Sequence, residues 1–113
     1  MRDLAPEILR QRMVIEGYPS EPISDVDITN YLAELTQVLE MNGLIDPVTH
    51  RSDLYGWAGW THWENSGAHF YAWETPRLFF SIDIYTCKAF DEKVAFEFTK
   101  KYFKTTDAAW KGF

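Results

Sequence analysis

The sequence predicts an α+β domain in which a mostly antiparallel sheet carries two helices on one face. Two segments have apolar residues at helical spacing, and four have the aromatic and β-branched content typical of strands. These segments follow in the order strand, helix, three strands, helix. A two-layer sandwich suits this order, because each helix buries its apolar stripe on one sheet face. With 113 residues, the chain is expected to form one domain over residues 1–113.

The first half of the chain is expected to contain a strand, the clearest helix and a loop. Residues 13–17 ("MVIEG") form a short first strand. Ser24 or Asp27 can cap the helix that follows, and residues 42–43 (Asn-Gly) are expected to end it as a left-handed stop. Residues 46–55 are expected to form a loop. The apolar stripe of the helix comprises Ile28, Leu32, Leu35 and Leu39, flanked by Tyr31 and Val38.

The second half is expected to contain three strands and the second helix. The strands are residues 56–64, 68–73 and 78–87, and Asp91 caps the helix that follows. The last ten residues show no clear pattern. In the third of these strands, Leu78, Phe80, Ile82 and Ile84 alternate with Phe79, Ser81, Asp83, Tyr85 and Cys87. The helix stripe is expected to be Val94, Phe98 and Tyr102.

Composition and charge exclude several functions. A net charge of -6 and a pI near 4.9 argue against a nucleic-acid partner and against docking on an anionic membrane. No apolar run approaches the roughly 20 residues that span a bilayer, and the first residues lack a secretory signal. A single cysteine, Cys87, excludes an internal disulfide and fits a reducing compartment. We therefore expect a cytoplasmic protein.

Most of the aromatic and ionisable residues in the middle of the chain have ordinary structural interpretations. His62 and His69 could meet across a hairpin, but no third ligand has metal-site spacing, so no metal is expected. The three tryptophans of residues 57–63 are spaced by three, which places them on alternate strand faces and excludes one flat stacking row. Asp83 differs, because a carboxylate in an apolar strand needs a partner or a cavity.

Ser66 has two interpretations. It lies between two predicted strands and before Gly67, so a turn serine is the ordinary interpretation. The turn must be tight, and Cys87 ends a neighbouring strand. If these strands pair, His69, Tyr71 and Asp83 face the same side as Cys87. A self-cleaving serine is the alternative.

Several short motifs follow one another at defined spacings. His50 stands six residues before the "GWAG" of residues 56–59, and Ser66 follows that element after six further residues. Trp73 comes seven residues after Ser66, and a strand ending in "DIYTC" finishes at Cys87. In this order the chain resembles the short bacterial and archaeal S-adenosylmethionine decarboxylase proenzymes over nearly its whole length.

This resemblance implies a fold of the S-adenosylmethionine decarboxylase type, a homodimer and a role in polyamine synthesis. It implies self-cleavage between Asn65 and Ser66, which leaves a pyruvoyl cofactor derived from Ser66. That group captures the substrate amine and acts as the electron sink for loss of carbon dioxide. By the same resemblance, Cys87 is the acid that protonates the decarboxylated carbon, Trp73 stacks on adenine, and Glu74 binds ribose hydroxyls.

The chain departs from the family pattern around the cleavage serine. The family has glutamate before this serine, where Asn65 stands here. It has histidines one and five residues after the serine, and the second assists processing; Gly67 and Tyr71 occupy these positions. His69 lies on the same strand face as Tyr71 and nearer Ser66, so it is the candidate substitute.

A further departure affects substrate recognition and leaves three functions open. Ser52 replaces an aromatic residue that would sandwich adenine, and Leu54 or Tyr55 is the candidate replacement. The leading hypothesis is a decarboxylase of S-adenosylmethionine or another amino acid. The second is an uncleaved, non-catalytic homologue that binds a ligand or regulates a true decarboxylase. The third is a binding module with an aromatic surface, unrelated to decarboxylation.

Overall fold

A computed structural model describes residues 2–113 and shows a single six-stranded sheet with two helices. The strand order is β2-β3-β4-β5-β1-β6, and every neighbouring pair is antiparallel. Both helices pack on the same face, which confirms the predicted two-layer α+β fold. In chain order the elements are β1 (Gln11–Tyr18), α1 (Asp25–Val38), β2 (Val48–Ser52), β3 (Gly56–Trp63), β4 (Ser66–Trp73), β5 (Phe79–Thr86), α2 (Glu92–Tyr102) and β6 (Asp107–Gly112).

The core lies between the helices and one face of the central strands. The alternation predicted for β4 and β5 is confirmed, since their even-numbered apolar residues from Ala68 to Ile84 are buried. Phe103, just after α2, inserts its ring into this layer, with its centroid 4.9 Å from Tyr31 and 5.1 Å from both Phe70 and Phe80. Burying each such side chain contributes about 1.5–3 kcal/mol, so this cluster stabilises the packing of the helices on the sheet.

Helix α1 begins as predicted and ends differently. The Ser24 hydroxyl accepts the Asp27 N–H at 3.2 Å, and Asp27 Oδ2 accepts the Ser24 N–H at 2.9 Å, so the two residues form a reciprocal capping box. The predicted left-handed stop at residues 42–43 is wrong. Glu40, with φ of 56°, is the left-handed residue, and the helix ends at Val38.

Helix α2 is capped by Asp91, as predicted, but its buried stripe is rotated. Ala95 and Thr99 are fully buried, whereas Val94 is exposed. The small side chains of Ala95 and Thr99 let the helix approach the core closely, and Phe98 packs at the edge of that contact. Within residues 2–113, neither helix is long and apolar enough to cross a membrane.

Two strands occur where none was predicted. The expected loop of residues 46–55 contains β2, and the unpatterned tail contains β6. Both are edge strands whose side chains are largely exposed, so the buried alternation that reveals a strand in sequence is missing. Their backbones are held by pairing with β3 and β1, which sequence pattern does not encode.

Candidate functional site

The sheet face away from the helices, here called the open face, carries a continuous row of aromatic rings. Successive ring centroids in this aromatic row lie 5.3–6.5 Å apart. As predicted, the tryptophans of β3 do not share a face: Trp63 is buried and Trp57 packs against the core, while Trp60 lies on the open face. The row comprises Trp60, His69, Tyr71, Trp73, Phe79 and Tyr18.

Ser66 stands at the tip of the β3–β4 hairpin, as the prediction of a tight turn requires. It pairs with Trp63, which leaves only two residues in the turn. Its φ of 124° lies in a backbone region that residues other than glycine rarely adopt. Such a conformation costs about 1–3 kcal/mol and persists only where the surrounding structure enforces it. The hairpin therefore holds Ser66 in a strained conformation.

The predicted cleavage bond and the predicted catalytic cysteine meet at this tip. The Cys87 backbone N–H donates to the Asn65 carbonyl oxygen at 2.9 Å, and Thr86 pairs with Ser66. The Cys87 thiol is exposed just beyond β5. Pairing of β4 with β5 thus brings residues 21 positions apart in sequence, Ser66 and Cys87, to one end of the sheet.

Gly67 explains one departure from the family pattern. A Cβ atom at this position would lie 2.4 Å from the Thr61 carbonyl oxygen, inside any normal contact distance. The two hairpin strands approach so closely here that only glycine fits. A histidine directly after Ser66, as in the family pattern, would require the backbone of this hairpin to move.

An open depression of about 580 Å³ surrounds Ser66 on the open face. His69 lies in it, with its ring stacked on Trp60 at 6.0 Å, and is the cross-strand neighbour of Asp83. His62 also lines the depression. The sequence indicated it only as a candidate metal ligand, although it directly precedes Trp63, which pairs with Ser66, and so lies beside the turn. The lining residues are Arg12, Trp60, Thr61, His62, Ser66, Gly67, His69, Asp83 and Tyr85.

Asp83 has the partner that its position in an apolar strand required. Arg12 Nε and Nη2 donate to Oδ1 and Oδ2 of Asp83 at 3.0 and 2.8 Å, which is a bidentate ion pair across β1 and β5. The hydrogen bond and the charge of Asp83 raise the pKa of Arg12 further above its usual value. Sequence reasoning missed Arg12, because its alignment beside Asp83 depends on strand register.

The predicted substrate-binding residues meet at the opposite end of β4. The Glu74 N–H donates to the Tyr55 carbonyl at 2.8 Å, and Arg51 Nη1 lies 3.0 Å from Glu74 Oε2. Trp73 is half-buried, and the Tyr55 side chain is exposed. Gly56, with φ of 144°, allows this close approach, because a Cβ there would lie 2.9 Å from the Ala72 carbonyl and 3.3 Å from Glu74 Oε2.

These two groups of predicted site residues are far apart within one chain. Trp73 lies seven residues along β4 from Ser66, or about 23 Å at roughly 3.3 Å per strand residue. Tyr71, five residues along, lies about 16 Å from Ser66 by the same measure. Among residues 2–113, no three histidine, cysteine or acidic side chains converge as a metal site requires.

The fold and the family are established by comparison with known proteins. A crystal structure of the adenosylmethionine decarboxylase from Aquifex aeolicus VF5 superposes with a TM-score of 0.76 over 94% of this chain and 89% of that chain, at 13% sequence identity. No curated protein sequence matches significantly. The family model for S-adenosylmethionine decarboxylase matches residues 11–112. The chain therefore belongs to the S-adenosylmethionine decarboxylase family.

Proposed function

We propose that the protein is a pyruvoyl-dependent decarboxylase of S-adenosylmethionine or a related amino acid, acting in polyamine synthesis. One observation carries the proposal: the hydrogen bond of 2.9 Å from the Cys87 N–H to the Asn65 carbonyl, at a strained Ser66. This bond links the carbonyl of the proposed cleavage site to the backbone of the residue whose thiol we propose for turnover. We also propose a cytoplasmic location, since a single exposed cysteine fits a reducing compartment.

The residues at the hairpin tip fit the chemistry that makes a pyruvoyl group. The Ser66 hydroxyl attacks the Asn65 carbonyl carbon, a carbon–oxygen bond forms, and the peptide carbon–nitrogen bond breaks as its nitrogen takes up the hydroxyl proton. The Cys87 N–H already points at the oxygen where negative charge develops, so it stabilises that charge. Loss of the Ser66 Cα proton then eliminates the Asn65 carboxylate and leaves dehydroalanine at residue 66. Its imine tautomer takes up water and releases ammonia, which leaves a pyruvoyl carbonyl at the new terminus.

His69 and Tyr71 have separate proposed roles in this cleavage. His69 lines the depression around Ser66, and we assign it the transfer of the hydroxyl proton. Tyr71 is too far along β4 to reach Ser66 in its own chain. Its ring stacks on His69 at 6.5 Å with an interplanar angle of 14°, so we assign it the positioning of the imidazole.

For decarboxylation, the pyruvoyl group supplies a carbonyl that binds the substrate amine and withdraws electrons as carbon dioxide leaves. The chain's own residues hold the substrate and move the proton. The exposed Cys87 thiol is the proposed donor to the substrate carbon. Trp73 is the proposed adenine platform, Glu74 the proposed ribose ligand, and Tyr55 a second ring beside them.

A homodimer would resolve the separation of the two site halves. One chain holds Ser66 and Trp73 about 23 Å apart, farther than a nucleoside-linked amino acid can span. Two copies packed open face on open face about a two-fold axis would place the Ser66 end of one chain over the Trp73 end of the other. The exposed rings of Trp60, Tyr71 and Tyr85 give this face the aromatic character typical of interfaces.

Intact mass of the purified chain under denaturing conditions tests self-cleavage. We expect two fragments, residues 1–65 and 66–113, with a blocked terminus on the second. Ser66→Ala should give only the 13.3 kDa chain. If the unchanged protein also stays at 13.3 kDa after prolonged incubation, the pyruvoyl proposal is wrong.

A Cys87→Ala variant separates cleavage from turnover. Alanine keeps the backbone N–H that donates to Asn65, so cleavage should proceed at a near-normal rate. Release of carbon dioxide from S-adenosylmethionine should fall by about 100-fold or more, the scale of a lost general acid. Normal turnover in this variant would remove the thiol from the mechanism.

A non-catalytic homologue is the second candidate function, and two observations favour it. The Glu74 carboxylate is already paired with Arg51, and Tyr71 replaces the processing histidine at about 16 Å from Ser66. Such a protein would remain at 13.3 kDa and would bind a ligand or regulate a catalytic partner. Binding of S-adenosylmethionine by the uncleaved chain would support this candidate.

A further inference from the structure

Arg12 is held in a fixed orientation at the edge of the Ser66 depression. Its guanidinium makes two hydrogen bonds to Asp83, and its Cζ lies 4.8 Å from the Phe113 ring centroid. The Phe113 N–H also donates to the Arg12 carbonyl at 2.9 Å. An arginine side chain normally loses much conformational freedom when it binds a ligand; here most of that freedom is already lost.

The guanidinium retains donors that can bind an anion. It has five N–H groups, of which Asp83 occupies two, and its side chain is 44% exposed. Strand register aligns Arg12 with Tyr85 and Tyr85 with Gly67. At about 4.8 Å between neighbouring strands, the Arg12 backbone therefore lies about 10 Å from that of Gly67, beside Ser66. An arginine side chain covers much of this distance.

Two fixed charges, Arg12 and Asp83, line the depression, so the free N–H donors of Arg12 rather than a net positive charge would bind a ligand carboxylate. Asp83 raises the pKa of Arg12, so the guanidinium stays protonated. Among the described residues that line the depression, Arg12 is the one permanent cation, in a chain of net charge -6. Because Asp83 neutralises part of its charge, Arg12 can orient a carboxylate without holding it so tightly that loss of carbon dioxide is opposed.

We propose that Arg12 determines specificity by binding the substrate carboxylate in the Ser66 depression. This inference rests on the proposed decarboxylase function and deepens it. The guanidinium would hold the carboxylate while the adjacent amine lies at residue 66, so the two ends of the reacting α-amino acid are fixed by separate strands, β1 and β4. Substrates whose carboxylate is blocked would lose this contact.

The test compares binding of S-adenosylmethionine with binding of its methyl ester on the full chain. Quenching of tryptophan fluorescence is read immediately after rapid mixing, before turnover consumes the acid, because Trp60 lines the depression. We expect the unchanged protein to bind the acid about tenfold or more tightly than the ester, because the acid gains charge-assisted hydrogen bonds. Arg12→Gln should bind both ligands equally, and Arg12→Lys should keep part of the preference. Lys111→Gln is the matched control, because Lys111 also lies over the Phe113 ring, at 5.1 Å, and its loss removes the same charge.

The outcomes separate this inference from the proposed function. A preference that survives in Arg12→Gln, or its absence from the unchanged protein, overturns the role of Arg12. If Arg12 were merely structural, both ligands would weaken equally in Arg12→Gln, so the preference for the acid would survive. Intact mass of each sample reports cleavage independently. An uncleaved chain that prefers the acid supports the role of Arg12 and contradicts self-cleavage. A cleaved chain without that preference supports self-cleavage and contradicts the role of Arg12.

Discussion

The two faces of the sheet differ in what their side chains do, and β4 shows the difference within two residues. Phe70 points toward the helices and is fully buried among Tyr31, Phe80 and Phe103. Tyr71 points to the open face and is 43% exposed. The helix-covered face is explained by packing and by internal hydrogen bonds such as that of Tyr31 with Thr99. The open face carries stacked rings, an ion pair and strained backbone at Ser66, none of which the core requires.

The residues that stabilise this fold and the residues of the candidate site therefore lie largely on different faces of the sheet. Among the described residues, every buried side-chain nitrogen or oxygen has a hydrogen-bond partner, so the core holds no polar group awaiting a ligand. The positive φ angles of Ser66 and Gly56, by contrast, lie at opposite ends of the β3–β4 pair, beside the two groups of candidate residues. Changes to the two faces should therefore affect different measurements.

Replacing neighbouring residues of β4 should give the largest difference. Phe70→Ala should lower the free energy of unfolding by about 3–5 kcal/mol, because it leaves a cavity in the core. Tyr71→Ala should change it by less than about 1 kcal/mol in the monomer. Denaturant unfolding measures both values. Sedimentation should show that Tyr71→Ala shifts the proposed homodimer toward monomer. Equal unfolding costs for the two variants would contradict the separation of the two faces.

Sequence pattern predicted the helix-covered face well, because burial imposes periodicity. The alternation in β5 and the stripe of Ile28, Leu32 and Leu35 in α1 were sufficient to place most of the core. The spacing around Ser66 and Cys87 also located the hairpin tip. Edge strands β2 and β6 could not be predicted, since exposed strands need no apolar alternation.

The open face was harder to predict, because its contacts depend on register. Arg12 meets Asp83, and Arg51 meets Glu74, only once the strands are aligned. The predicted strand of residues 68–73 already puts Ser66 and Trp73 at opposite ends, although the resemblance expects both residues in one site. Two residues seven positions apart in sequence are separated by about 23 Å in an extended strand.

Adding one methyl group at the hairpin tip should give an intermediate effect. Gly67→Ala places Cβ 2.4 Å from the Thr61 carbonyl, so the hairpin must shift. We expect the free energy of unfolding to fall by about 1–3 kcal/mol, the usual cost of overpacking. Cleavage at Ser66 should also become slower. Gly43→Ala is the control, because its Cβ would meet only Thr36 Cγ2 at 3.5 Å. Unchanged cleavage in Gly67→Ala would show that the close strand approach does not hold Ser66.

The smallest effect compares a buried and an exposed tyrosine hydroxyl. Thr99 Oγ1 donates to the Ala95 carbonyl at 2.8 Å, so the Tyr31 hydroxyl donates to Thr99, at 2.6 Å. Tyr31→Phe should cost about 1 kcal/mol at neutral pH, the net value of one hydrogen bond. Tyr85→Phe, on the open face, should change stability by less than about 0.5 kcal/mol.

The pH dependence of Tyr31→Phe sharpens this last comparison. Burial raises the pKa of Tyr31, because the phenolate would lose its hydration in the core. Because the folded pKa exceeds the unfolded value of about 10, the protonated hydroxyl stabilises the fold fully below pH 10. That contribution is lost as the pH rises above 10, with a slope of up to about 1.4 kcal/mol per pH unit. Denaturant unfolding between pH 8 and 11 should show that the free energy of unfolding falls less steeply with pH in Tyr31→Phe than in Tyr85→Phe. Parallel declines would mean that ionisation of Tyr31 does not contribute to the pH dependence of stability.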